Sequence, residues 1–115
     1  MLEFQTTHLN DTETPMSIVE VRGRVDSSNA SELGEHLTSL IEQGHIRFVL
    51  DFSLLVYMSS AGLRELVNAY RRLQPLGGDL RLANPTARVR DVLELAGLHT
   101  VLRVYATRQD AVKSQ

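Results

Sequence analysis

The sequence predicts a single α/β domain over residues 1–115, with four helices packed on a mixed, mostly parallel sheet of about five strands. The length suits one domain that buries roughly two-thirds of its unfolded surface. After two opening strand patterns, strand and helix patterns alternate, which favours parallel strands joined by helices. The run Phe48–Phe52 is broken only by Asp51, and so apolar a run is typical of a parallel strand buried on both faces.

The first 25 residues predict two strands. Leu2–Thr7 alternates weakly, and the polar segment His8–Met16, which contains Pro15, is typical of a turn or hairpin loop. Ser17–Val25 alternates more strongly and predicts a half-buried element that is antiparallel or at a sheet edge. Its apolar face would carry Val19, Val21, Gly23 and Val25, and its polar face Glu20, Arg22 and Arg24.

The first helix is predicted between Asp26 and Gln43. Asp26-Ser27-Ser28-Asn29 supplies N-cap side chains, and Glu32 stands three residues after Asn29, close to a capping box. Gly44 is suited to the left-handed position that ends a helix. The apolar stripe of this helix is Ala30, Leu33, Leu37, Leu40 and Ile41.

A second helix follows the central strand after a short connection through Tyr57 and Met58. It begins with small residues, Ser59 to Gly62, and continues with an amphipathic stripe. That stripe is Leu63, Leu66, Val67 and Tyr70. The serines therefore lie where the carboxyl end of a strand meets a helix N-terminus, the edge at which open α/β sheets usually place their sites.

The C-terminal third predicts a strand, a helix, a strand and a short helix. Pro75 and two glycines form a loop before the strand Asp79–Ala83. Asn84-Pro85-Thr86 starts a third helix that ends at Gly97, with an inward face of Val89, Val92, Leu93 and Ala96. Val101–Tyr105 predicts the last strand, and Thr107 with Asp110 resembles a capping box for a terminal helix through Ala111 and Val112. The predicted order is β-β-α-β-α-β-α-β-α.

Composition argues against several kinds of partner. A net charge of −2 gives no electrostatic footprint for nucleic acid. No apolar run approaches the ~20 residues of a membrane span, and the first residues lack the pattern of a signal peptide. The chain has no cysteine, which excludes thiolate metal sites and is compatible with the cytoplasm. We therefore expect no direct nucleic-acid binding, no membrane insertion and a cytoplasmic location.

Three groups of polar residues are candidates for a site, and each also has a purely structural interpretation. One of Ser59 and Ser60 can be the N-cap, so a functional and a structural role are equally well supported by spacing. Asp51 in the buried strand needs hydrogen-bond partners, and we expect it to brace the Ser59–Ser60 turn rather than act as a base. Asp26-Ser27-Ser28 is more typical of helix capping, although this turn would also border the same edge.

Catalytic and metal-binding motifs are missing from the sequence. The four histidines, His8, His36, His45 and His99, have no metal-ligand spacing, and we expect all of them to face solvent. Neither serine lies in a G-x-S-x-G pattern, and no phosphate-binding or dinucleotide-binding glycine loop occurs. We predict a protein that is not an enzyme and that uses neither a metal nor a cofactor.

Four blocks of residues resemble the STAS domain, specifically the bacterial anti-sigma factor antagonists. They are Gly23-Arg24-Val25-Asp26, Asp51-Phe52-Ser53 with Tyr57 through Leu63, Asn84-Pro85 with Val89, and Leu98 through Tyr105 with Ala111. The resemblance covers nearly the whole chain, and its central block is the most specific. The family often has Asp before the phosphorylated serine, whereas this sequence has Ser59.

The resemblance implies a partner switch. By position, the phosphorylated serine is Ser60, with Ser59 as the alternative, and the partner-binding residues are Asp26, Asp51, Ser59, Ser60 and Gly62. The unphosphorylated protein would bind an anti-sigma factor that is also a serine kinase. Phosphorylation from ATP would dissociate the complex, and a phosphatase would reset it.

Two other functions remain open from the sequence. One is a STAS scaffold or regulatory subunit that is never phosphorylated, as in a stressosome-like or transporter-associated assembly, in which the serines serve capping and packing. The other is a binder of small anions or nucleotides at the helix N-terminus, although no glycine-rich loop supports it.

Overall fold

The fold is a six-stranded mixed sheet with helices on both faces, as seen in a computed structural model that describes residues 1–10 and 14–113. The strands are β1 (Leu2–Leu9), β2 (Met16–Val25), β3 (Arg47–Asp51), β4 (Leu55–Met58), β5 (Asp79–Ala83) and β6 (Arg103–Tyr105). The helices are α1 (Ala30–Glu42), α2 (Ser60–Leu73), α3 (Ala87–Leu95) and α4 (Arg108–Lys113), with short 3-10 turns at Gln74–Leu76 and Leu98–Thr100.

The strand order is β1-β2-β3-β5-β6, and β4 pairs with β2 beyond the end of β3. Among the strands of the described residues, only the β1–β2 pair is antiparallel; β2 is parallel to β3 and to β4, and β5 is parallel to β3 and β6. The mixed, mostly parallel α/β sheet predicted from the alternation of patterns is therefore confirmed. As predicted, Phe48, Val49 and Leu50 of β3 are fully buried.

Helices α1, α2 and α3 lie on one face of the sheet, and α4 lies on the other. The larger apolar cluster contains Leu33, Leu66 and Leu93 from the first three helices, together with one face of the strands. The smaller cluster joins Ala111 of α4 to strand residues on the opposite face, including Ile18. The N-terminal half of β2 is therefore buried on both faces, and the predicted half-buried pattern applies only to its later residues.

Several expected boundaries were wrong. The connection through Tyr57 and Met58 belongs to a sixth strand, β4, whose four residues are too few for a clear pattern. Strand β1 continues to Leu9, and part of the predicted loop, residues 11–13, lies outside the described residues. The last strand begins at Arg103, and the predicted inward residue Ala96 is exposed.

The two ends of α1 differ in how well sequence predicted them. Asn29 is the N-cap, but it makes no side-chain cap bond. Its side chain accepts from the Asp26 N–H and donates to the Arg24 carbonyl, so the capping box predicted with Glu32 does not form. At the other end, Gly44 has φ +98 and donates to the Ile41 carbonyl, which confirms the predicted glycine termination.

Candidate functional site

The start of α2 is fixed to the sheet through Ser59. The Ser59 N–H donates to the carbonyl of Val25, the last residue of β2, at 2.9 Å. The Ser59 hydroxyl oxygen accepts from the Gly62 N–H at 3.2 Å, which makes this serine the N-cap of the helix. Ser59 is half-buried. Its structural role is therefore capping, one of the two roles that spacing left open.

Ser60, the first residue of α2, is exposed. Its hydroxyl has no hydrogen-bond partner among residues 1–10 and 14–113, whereas the adjacent Ser59 hydroxyl is occupied by the helix. The first backbone N–H groups of a helix lack partners within the helix, and the helix dipole is positive at this end. Ser60 therefore offers a free hydroxyl in surroundings that tolerate negative charge.

Gly62 lies where the first turn of α2 presses on the sheet. A Cβ atom at this position would lie 2.2 Å from Met58 Sδ and 2.7 Å from a Val25 methyl carbon. Both neighbours are buried, so neither has open space to move into. The absence of a side chain at Gly62 thus lets the helix carry Ser59 and Ser60 close to the ends of β2 and β4.

Asp26 follows directly on Val25, the residue that holds Ser59. One of its carboxylate oxygens accepts from the Ser28 hydroxyl at 2.6 Å and from the Ser28 N–H at 2.9 Å. These bonds hold the pKa of Asp26 below its ordinary value of 3.8, and the bond from the Ser28 hydroxyl has the larger effect. The turn beside Ser59 and Ser60 therefore carries a fixed negative charge at neutral pH, and the structure brings these three predicted site residues together.

Asp51 lies elsewhere. It is paired with Glu20 in the β2–β3 register, whereas Met58, just before the serines, is paired with Val25. The offset of five residues from Glu20 to Val25 corresponds to about 17 Å along β2. Asp51 is 5% exposed and accepts from the Ser53 N–H at 2.9 Å. It thus braces the turn before β4, and the expected bracing of the Ser59–Ser60 turn was wrong.

The second partner of Asp51 comes from the C-terminal helix. Arg108, at the start of α4, approaches Asp51 to 2.7 Å and Glu20 to 3.2 Å. This ion network ties α4 to β2 and β3 on the face of the sheet opposite α1 and α2. A buried carboxylate in a strand signals that such a partner must exist, but the sequence does not say that it lies 57 residues away.

Four further exposed or half-buried residues, on β2, on β4 and just before β4, were not predicted as site residues because β4 had not been predicted. The guanidinium of Arg24 lies 4.6 Å from the centre of the Tyr57 ring, an arrangement produced by the pairing of β2 with β4. Leu54, just before β4, and Val56 within it are 50% and 52% exposed. The charged Arg24 and the aromatic Tyr57 thus lie next to the paired residues Val25 and Met58, from which the chain continues to Asp26 and Ser59.

The histidines are not all solvent-facing, contrary to expectation. His36 is half-buried, stacked on Phe4 at 4.4 Å and hydrogen-bonded to Thr6, and burial lowers its pKa from the ordinary 6.5. His45 is also half-buried and is stacked on the ring of His8 at 4.1 Å. Within the described ranges, no group of three or more histidine or acidic side chains is arranged to hold a metal ion.

None of the helices in the described part of the chain has the length and apolar composition needed to cross a bilayer. The longest, α2, has 14 residues and a strongly polar outer face.

Comparison with known proteins agrees with this architecture. The family model of the STAS domain matches residues 4–111. A protein of Bordetella bronchiseptica named as an anti-sigma factor antagonist, BtrV, is 35% identical over 96 residues, or 84% of this chain and 83% of that protein. The anti-sigma-B factor antagonist of Bacillus subtilis is 32% identical over 97 residues, or 83% of this chain and 86% of that one.

Among solved structures, a protein of Thermotoga maritima described as an anti-sigma factor antagonist superposes with a TM-score of 0.87. The match covers 96% of this chain and 92% of that one at 22% identity, and it shows that the fold is shared. The family model covers nearly the whole chain, and the two curated relatives are aligned over most of their own length. This protein belongs to the STAS domain family.

Proposed function

We propose that this protein is an anti-sigma factor antagonist whose partner is an anti-sigma factor with serine kinase activity. In this proposal the protein binds its partner while Ser60 is unmodified and is released when Ser60 is phosphorylated. The single observation that carries the proposal is the exposed, unbonded hydroxyl at the first residue of α2. The names of the two curated relatives support the antagonist role.

Ser60 is favoured over Ser59 as the acceptor by their different surroundings. Phosphorylation of Ser59 would remove an oxygen that caps α2 through the Gly62 N–H. The Ser60 hydroxyl makes no such contribution, so a phosphoryl group can be added to it without opening the helix. The start of a helix also stabilises negative charge through its free N–H groups and its dipole.

The proposed docking surface consists of Asp26, Ser59, Ser60 and the buried Gly62 that brings the turn to the sheet. Asp26 is ionised and would pair with a basic group of the partner. Asp51 was included by resemblance, but we leave it outside this surface because it is buried and bonded to Arg108.

Phosphorylation would act on docking and leave the fold intact. A phosphate group adds nearly two negative charges and three strongly hydrated oxygens at a position where the partner previously met a small hydroxyl. Desolvating that dianion beside the negative charge of Asp26 is costly, so the complex should dissociate.

The reaction requires no chemistry from this protein. The kinase would transfer the γ-phosphoryl group of ATP to the Ser60 oxygen with loss of the hydroxyl proton, and a phosphatase would hydrolyse the ester with water. We therefore place the protein as a cytoplasmic substrate and binding partner that is not itself an enzyme, and that needs neither metal nor cofactor.

The first experiment is site-mapped mass spectrometry after incubation with ATP and an extract of the source organism. The matched set is the wild-type protein, Ser60→Ala and Ser59→Ala, with an extract that demonstrably phosphorylates a control substrate. Phosphate on Ser60 supports the proposal, and phosphate on Ser59 moves the acceptor by one residue. A complete lack of phosphate would contradict the proposal and favour the unphosphorylated scaffold.

A second experiment tests the release step. Ser60→Asp should bind the anti-sigma factor at least tenfold more weakly than wild type, because a carboxylate must then be desolvated at the interface. Its melting temperature should be nearly unchanged, since acidic residues are accepted at the first helical position. Equal binding by Ser60→Asp and wild type, or a large loss of folding stability, would argue against a switch at this residue.

A further inference from the structure

Arg64 lies one turn into α2, four residues after Ser60, and both side chains are exposed. Residues four apart lie on the same face of a helix, about 6 Å apart at Cβ. Helical side chains tilt toward the N-terminus, so the long side chain of Arg64 extends back toward Ser60. The backbone alone thus places a guanidinium within reach of whatever is attached to the Ser60 oxygen.

Within the described ranges, Arg64 is also not bound to any other anion. No carboxylate in the described portion of the chain forms an ion pair or hydrogen bond with it, whereas Arg72 on the same helix pairs with Glu42 at 3.6 Å. The residue on the C-terminal side of Arg64 at the same spacing is Asn68, which carries no charge. The positive charge of Arg64 is therefore available to a group at position 60.

We propose that Arg64 binds the phosphate group of phosphorylated Ser60 within the same helix, an inference that rests on the proposed phosphorylation. Arginine matches phosphate with two parallel N–H donors. An anion that precedes a cation by four residues is the favourable orientation of such a pair, because it also complements the helix dipole. Arg64 is thus a positioning residue that holds the phosphate against the first turn of α2.

Such a contact changes what the partner meets in the phosphorylated state. In the unmodified protein Arg64 is a free cation one turn from the docking surface, open to an acidic group of the partner. In the phosphorylated protein the same guanidinium is occupied by the phosphate. Phosphorylation would then remove a positive charge from the surface as well as add a negative one, and both changes oppose rebinding.

The contact can be measured without a kinase. Phosphoserine is incorporated at position 60 during translation, and the second ionisation of its phosphate, near pH 6 in an exposed site, is followed by 31P NMR. The variants are Arg64→Gln, Arg71→Gln as the matched control in the last turn of the helix, and Arg24→Gln because that guanidinium borders the same turn. The Nε–Hε resonance of Arg64 is followed in the same titration.

Other titratable groups lie on the elements around the turn, and apart from Arg24, which one variant removes, they are the same in every variant. On the elements that surround it they are Arg24, Asp26, Glu32, Tyr57, Glu65 and Arg88. A difference between the wild-type phosphoprotein and the Arg64→Gln variant therefore reports the removal of one guanidinium.

A bound guanidinium favours the dianion, so Arg64→Gln should raise the phosphate pKa by about 0.3 units, as expected for an exposed helical pair. Arg71→Gln should leave it unchanged, and the Arg64 resonance should move as the phosphate ionises. An unchanged pKa in Arg64→Gln would overturn the inference, as would a larger shift in Arg24→Gln or loss of the folded state on phosphoserine incorporation. Because phosphoserine is supplied directly, a negative result here is distinct from the absence of a kinase that modifies Ser60.

Discussion

Two glycines in helices that pack against each other give a sharp test of how the start of α2 is held. A Cβ atom at Gly62 would lie 2.2 Å from Met58 Sδ, and one at Gly34 of α1 would lie 2.2 Å from a carboxylate oxygen of Glu65. The two distances are equal, but the neighbours differ. Met58 is 1% exposed and packed in the core, whereas Glu65 is a partly exposed, flexible side chain on the helix surface.

Substitution by alanine should therefore have opposite effects at the two positions. Replacing a helical glycine by alanine gains about 0.5–1 kcal/mol in the free energy of unfolding, because the unfolded chain loses conformational freedom. At Gly34 the Glu65 carboxylate can rotate into solvent, so most of this gain should remain. At Gly62 the new methyl group also meets the stiff Val25 side chain at 2.7 Å, and overpacking of a core costs about 1–3 kcal/mol.

The expected net change is a loss of about 1–2 kcal/mol for Gly62→Ala and a gain of up to about 1 kcal/mol for Gly34→Ala. Urea denaturation would measure both, with an unchanged m-value confirming that the unfolded states are comparable. In thermal melts the difference corresponds to about 4 °C per kcal/mol for a domain of this size. If Gly62→Ala proved as stable as Gly34→Ala, the close packing of the α2 N-terminus on β2 and β4 would be refuted.

The remaining predictions concern capping, the ion network and pH. Ser59→Ala should lower the free energy of unfolding by about 1 kcal/mol through loss of the N-cap. Ser60→Ala should stay within about 0.5 kcal/mol of wild type. Equal losses of the two variants in urea denaturation would contradict the roles assigned to the two serines. Arg108→Gln should lower the free energy of unfolding by about 1–3 kcal/mol, because buried Asp51 is left without its cation. Adding Asp51→Asn should recover part of that loss. Additive losses in the double variant would show that the two residues are not coupled. Burial lowers the pKa of His36 from 6.5, so the unfolded chain binds a proton at a higher pH than the folded protein does. Stability should therefore fall as the pH drops below about 6.5. His36→Gln should weaken that dependence in melts at a series of pH values, and a pH profile identical to that of wild type would contradict this role of His36.

The long, strongly patterned elements were accessible from the sequence. Burial of the β3 run, the strand Asp79–Ala83 and the α2 stripe residues Leu63 and Leu66 followed from apolar patterns, which reflect which side chains must leave water. The other two stripe residues, Val67 and Tyr70, are half-buried. The start of α2 at Ser59 and Ser60 also followed from its helix pattern, but these serines follow β4 and not the predicted strand β3. These features depend on residues close together in the chain.

The features that were missed depend on partners distant in the chain. Strand β4 exists because its backbone pairs with β2, and its exposed Val56 breaks the alternation that would have identified it. The partner of Asp51 lies on α4, and His36 is half-buried where it meets Phe4 and Thr6 of β1. Local periodicity carries no information about such pairs, which form only when the tertiary fold brings the elements together.

The bond between the Ser59 N–H and the Val25 carbonyl has a consequence for how any enzyme could reach Ser60. Releasing the serine turn as an extended peptide would require breaking this bond, uncapping α2 and lifting its first turn from the core, an opening close to global unfolding. A kinase that modifies Ser60 must therefore recognise the folded surface rather than a linear motif. A synthetic peptide with the sequence of residues 55–65 should be a poor substrate even though it contains the residues that flank Ser60 in the sequence.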